Sequence, residues 1–179
     1  MDIKVRVYKR HITESQHFFD IMQAGISDVY ARCWLNDYEL KPFKFPYNDD
    51  FVYVSRLIWE GEDIVVKLDD SYNQVSTEID LWENVIETKD RRYFATLLDH
   101  GVSQDRFEVP WVAMQKYDLF NPFDEDEPET PVTRFDDKIK KLIKKYKLCD
   151  VGEECGSNWG IDIKEDRPII YDYGSVGIR

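Results

Sequence analysis

The chain has 179 residues, 42% of them hydrophobic and 15% aromatic, with a formal net charge of −12 at pH 7. This is enough apolar material for one domain or two small lobes, and it excludes a disordered chain. The acidic balance argues against general attraction to a nucleic-acid backbone, and no apolar run approaches the roughly 20 residues of a membrane-spanning helix.

The opening Met1-Asp2-Ile3-Lys4-Val5-Arg6 has no apolar signal-peptide core, so a cytoplasmic protein is expected. Residues Ile3 to Tyr8 alternate as a strand should. A helix is expected next, capped by Thr13 with Gln16 in capping-box spacing and stopped near Gly25. Short β-like pieces follow over Asp28–Leu35, Phe51–Trp59 and Asp63–Leu68, with an inserted loop from Asn36 to Asp50. Glu60-Gly61-Glu62-Asp63 suits a hairpin turn.

From Ser76 to Thr88, the residues Ile79, Trp82, Val85 and Ile86 recur at helical spacing. Tyr93–Leu98 and Trp111–Tyr117 are again strand-like. Acidic side chains and prolines mark residues 121–133 as a linker. Beyond it, Phe135, Ile139, Leu142, Ile143 and Tyr146 form one face of an amphipathic helix. Lys138, Lys140, Lys141, Lys144 and Lys145 cover its other face. Asp136 and Asp137 fall in its expected first turn and lysines in its last, which suits the helix dipole. The order of elements is that of an α+β protein. Cys33, Cys149 and Cys155 lack zinc-ligand spacing, and His11, His17 and His100 are far apart, so reduced thiols and no zinc site are expected.

The C-terminal part is the most informative. Asn158-Trp159-Gly160 and Pro168-Ile169-Ile170-Tyr171-Asp172-Tyr173-Gly174 pair an Asn with an Asp-aromatic-Gly across a hairpin-like segment. Magnesium on a nucleotide triphosphate needs hard oxygen ligands such as one amide carbonyl and one carboxylate. Upstream, Asp63-Ile64-Val65-Val66-Lys67 looks like a strand carrying a phosphate-binding lysine, and Glu78 in the following helix is placed to pair with it. Val109 to Tyr117 is similar to a strand leading into an adenine-binding hinge.

Over roughly residues 24 to 174 the chain therefore resembles the protein-kinase-like superfamily, in particular small kinase-like proteins encoded by bacteriophages. The resemblance implies an antiparallel-sheet N-lobe with a C-helix over residues 1–120, the linker 121–133, and a minimal helical C-lobe over 134–179. It implies ATP and magnesium as ligands, with Lys67 holding phosphate, Glu78 orienting Lys67, and Asn158 and Asp172 holding metal. Gly25 and Ser27 would cover the phosphates in a loop that keeps one glycine, where Asp28 would add unfavourable charge unless it points away. The base position falls on Asp150 or on Glu153, which stands five residues before Asn158. Only five residues follow Gly174, so no activation segment is expected.

Two functions follow from the resemblance. One is a minimal phosphotransferase acting on a hydroxyl group. The other is a pseudokinase-like module, without turnover, that binds a host protein. The first accounts for Lys67, Glu78, Asn158 and Asp172 together; the second accounts for the single glycine and the shifted acid. Neither calls for direct nucleic-acid or membrane contact. Each residue also has a plainer role: Asp172 and Asn158 as turn formers, Lys67 and Glu78 as a surface ion pair.

Overall fold

The computed structural model describes residues 4–6, 26–31, 38–48, 51–69, 74–104, 108–120, 132–149, 151 and 158–174. The expected helix from Thr13 to Gly25 and the linker up to residue 131 lie outside them. The fold is α+β. In chain order the elements are β1 (Lys4–Arg6), α1 (26–31), β2 (Lys41–Asn48), β3 (Phe51–Glu60), β4 (Ile64–Leu68) and α2 (Gln74–Asp80). A π-helical turn (Leu81–Val85), a 3-10 turn (Arg91–Tyr93), β5 (Leu97–Val102), β6 (Pro110–Gln115), β7 (Leu119–Phe120), α3 (Val132–Tyr146), β8 (Trp159–Asp162) and β9 (Arg167–Ile170) complete the set. No helix among the described residues is long and apolar enough to cross a membrane.

Two compact units are formed, one from Met1–Val75 with Leu98–Lys116, the other from Ser76–Leu97 with Tyr117–Arg179. In the first, the strands are ordered β1-β3-β4-β6-β5, with β2 added on β3. β2 on β3, β3 on β4 and β4 on β6 are antiparallel, and β1 on β3 is parallel. β4 is central and alternates: Ile64, Val66 and Leu68 are buried, whereas Val65 and Lys67 on the opposite face are half-buried. The buried face packs with Ile26 and Val29 of α1, Leu40, Val109, Trp111 and Ala113.

Three local expectations are corrected here. Residues 26–31 form a helix and not the start of a strand, because Ile26, Val29 and Tyr30 recur at i, i+3, i+4. Residues 41–48, expected as loop, form β2: aromatics at 43, 45 and 47 alternate with period two. Pro42 and Pro46 are tolerated because, among the described residues, β2 pairs with β3 alone, and the register shifts beside both. The expected strand at Tyr93 begins at Leu97 instead; a 3-10 turn and the lone bridge of Phe94 to Ile170 precede it.

In the second unit, β7, β8 and β9 form a three-stranded antiparallel sheet. The β8–β9 turn closes on Asp162, whose carboxylate accepts from the Lys164 amide at 3.1 Å and whose carbonyl accepts from the Asp166 amide at 2.8 Å. α3 buries Ile139, Leu142 and Tyr146 as its spacing requires. It starts at Val132, so Asp136 and Asp137 fall beyond its first turn, contrary to expectation, while Lys144 and Lys145 do occupy the last. Its end is a Schellman-type closure: Lys147 takes a positive φ of 56°, and the Leu148 amide donates to the Ile143 carbonyl at 3.1 Å. An exposed lysine holds a conformation that favours glycine. Lys147→Gly is expected to raise stability by about 0.5–1 kcal/mol in urea unfolding, with no change in the denaturant slope.

Candidate functional site

β9 leads directly into Tyr171-Asp172-Tyr173-Gly174, and β8 begins directly after Asn158. The register Trp159↔Ile170 and Gly160↔Ile169 brings the start of β8 beside the end of β9. The Tyr171 amide donates to the Asn158 carbonyl at 3.0 Å, extending the ladder one step past the strands. Asn158 and Asp172 therefore stand at adjacent strand ends, both half-buried. Amide and carboxylate oxygens are hard donors of the kind magnesium takes. Among the described residues no group of three or more His, Cys, Asp or Glu is placed to hold a metal ion.

Tyr173 locks this end of the hairpin. Its side chain is fully buried, its hydroxyl donates to the Ala95 carbonyl at 3.2 Å, and its amide donates to Glu78 Oε1 at 3.2 Å. Burial, assisted by the nearby Glu78 carboxylate, pushes the Tyr173 phenol well above its ordinary value, so it stays neutral. Glu78 itself has no solvent exposure. The helical spacing explains its position: Val75, Glu78 and Leu81 share one face, and that face is the buried one. The π-helical turn, closed by the Ile86 amide on the Leu81 carbonyl at 2.7 Å, adds a residue to the repeat. Ile86 is buried in consequence, while Val85, expected on the apolar face, is 45% exposed.

Phe94 joins this region to α3. Its ring meets Tyr173 edge-on at 5.2 Å between centroids and Tyr146 at 5.6 Å. The Tyr146 hydroxyl donates to Asp90 Oδ2 at 2.9 Å and accepts from the Glu87 amide at 3.1 Å. Asp90 also receives Lys145 at 2.8 Å and faces Lys138 at 3.6 Å. Burial raises the Asp90 carboxyl, but the bonds from Lys145 and Tyr146 and the charge of Lys138 outweigh it and hold the group below its ordinary value. Phe94 and Asp90 carry no motif. Their only sequence signals are an aromatic and a turn aspartate between two apolar stretches, and the chemistry-led reading passes over both.

In the first unit, Lys67 lies on β4 between Ile58 of β3 and Val112 of β6, half-buried on the face away from α1. Ser27 is exposed on α1, so it belongs to a helix and not to a phosphate-covering hairpin. Asp28 is half-buried: its carboxylate accepts from the Trp111 indole N–H at 2.7 Å and fastens α1 to β6. Gly25, Asp150 and Glu153 lie outside the described residues. The hairpin thus joins Asn158 with Asp172, and Tyr173 joins Glu78 to that hairpin.

No known protein-family model matches the sequence, and no curated protein matches it.

The depressed Asp90 carboxyl makes stability depend on pH. Its contribution is complete above the ordinary aspartate value, about 3.9, and is lost as pH falls through the lower folded value. Asp90→Asn is expected to lower the melting temperature at pH 7, with the gap to the native chain closing towards about pH 3. A gap that stays constant across that range would show that Asp90 acts only through packing.

Proposed function

We propose that this is a kinase-like nucleotide-binding protein, with an antiparallel-sheet lobe and a minimal helical lobe, that takes ATP with magnesium. The observation that carries the reading is the placement of Asn158 and Asp172 at adjacent strand ends, held by the 3.0 Å bond from the Tyr171 amide. In this reading the Asn158 amide oxygen and the Asp172 carboxylate are the protein's metal ligands. When bound, magnesium neutralises charge on the phosphate oxygens and fixes their geometry. Lys67 supplies an ammonium to the α- and β-phosphates, and Glu78 orients it. Glu78 also fixes the backbone just past Asp172 by accepting from the Tyr173 amide, which limits how far Asp172 can shift. For phosphotransfer to a hydroxyl, Asp150 or Glu153 would accept the proton.

A second reading has its own support. Residues 26–31 form a helix with Ser27 exposed, where a phosphotransferase of this type uses a glycine-rich cover over the phosphates. That favours a protein that keeps the nucleotide site for binding without turnover and acts on a host protein through its surface.

Calorimetric titration tests the nucleotide site that both readings share. ATP is expected to bind the native chain only with magnesium present. Asp172→Asn is expected to abolish the magnesium dependence, and Lys67→Ala to weaken binding by about tenfold or more, as loss of a charge-assisted contact does. Absence of binding by a folded native chain would remove the nucleotide from both readings.

A further inference from the structure

The second unit carries a cavity of about 390 Å³ lined by Arg92, Tyr93, Phe135, Lys138, Arg167 and Pro168. Three of these six side chains are cations, in a chain whose net charge is −12. They come from separate elements: the 3-10 turn, α3 and the start of β9. Tyr93 organises two of them. Lys138 Nζ sits over its ring at 4.3 Å, the Arg92 guanidinium lies 4.7 Å from the ring centroid, and Arg92 Nη2 donates to the Tyr93 hydroxyl at 2.6 Å.

The neighbouring carboxylates do not cancel this charge. Asp90, 3.6 Å from Lys138, is engaged at shorter range by Lys145 and Tyr146. Asp162 stands 4.0 Å from Arg167 and also accepts from the Lys164 amide. Glu165 bonds Arg167 Nε, and its own side chain is 61% exposed, so this contact is the screened and replaceable one. Phe135, Pro168 and the Tyr93 ring supply the apolar wall.

We propose that this cavity is an anion site for a phosphate monoester carried on a flat apolar group, with Arg92, Lys138 and Arg167 meeting the phosphate oxygens. Two planar guanidinium groups and an ammonium suit a dianion with several acceptor oxygens better than a monocarboxylate. The aromatic and proline wall gives the carrier a surface that inorganic phosphate does not use. The site is separate from Asn158 and Asp172 and needs no metal.

The test is calorimetric titration of the full chain with phenyl phosphate, inorganic phosphate and benzoate, without magnesium. Phenyl phosphate is expected to bind saturably and the most tightly of the three. Arg92→Ala and Lys138→Gln are each expected to weaken it by about tenfold, the cost of one charge-assisted contact. Glu165→Gln is expected to tighten it, because the competing carboxylate is gone. Asp172→Asn is expected to leave it unchanged, which separates this site from the nucleotide reading. Arg92 is exposed, so its variant tests the site without threatening the fold. Absent binding, benzoate or inorganic phosphate equal to phenyl phosphate, or indifference to Arg92→Ala and Lys138→Gln in folded chains would each overturn the proposal.

Discussion

A carboxylate without solvent exposure is costly unless it is bonded, and Glu78 spends one oxygen on the backbone amide of Tyr173. That bond fixes the chain just past Asp172, beyond the end of β9. The hydroxyl of the same tyrosine reaches the Ala95 carbonyl, so the residue is tied at both ends. With Tyr173 held, the carboxylate of Asp172 has one backbone position from which to act. Replacing Glu78 by an apolar residue would fill the space but leave a buried amide without this acceptor.

The same region depends on α3 through aromatic edges and a hydrogen-bonded hydroxyl. Phe94 touches both Tyr173 and Tyr146, and Tyr146 is anchored by Asp90 and the Glu87 amide. Lys145 adds charge to that anchor from the last turn of α3, bonding Asp90 and Glu87 together. The helix therefore serves as a buttress for the hairpin, and its lysines divide between this task and a solvated surface. Lys140, Lys141, Lys144 and Lys145 are exposed, and of these Lys145 bonds Asp90.

Much of this was legible where the pattern had a strong period. β3, β4, β6 and α3 follow from alternation or helical spacing, and the β8–β9 hairpin follows from the motif residues on either side of its turn. What escaped reading has physical reasons. Pro42 and Pro46 hide β2 because prolines signal loops unless the strand is paired on one side only. α1 is hidden because its first apolar residue, Ile26, stands before the stretch that looks extended. The π-helical turn shifts the buried face after Leu81, which no propensity reveals. In the candidate site, residue type and order single out Asn158, Asp172 and Glu78, and the structure brings the ends of β8 and β9 together and bonds Glu78 to Tyr173. Phe94 and Asp90 were not legible, because their importance comes from contacts made by residues far along the chain.

The most direct measurement is paramagnetic broadening by manganese, a spectroscopic substitute for magnesium at oxygen sites. Manganese would be titrated with a non-hydrolysable ATP analogue while amide resonances are followed. The account predicts selective loss of signal at Asn158 and at Tyr171 to Gly174 before other regions, and no such loss in Asp172→Asn. Broadening that instead follows exposed carboxylates such as Glu83 and Glu165, with the hairpin end untouched, would contradict the assignment of Asn158 and Asp172 as metal ligands.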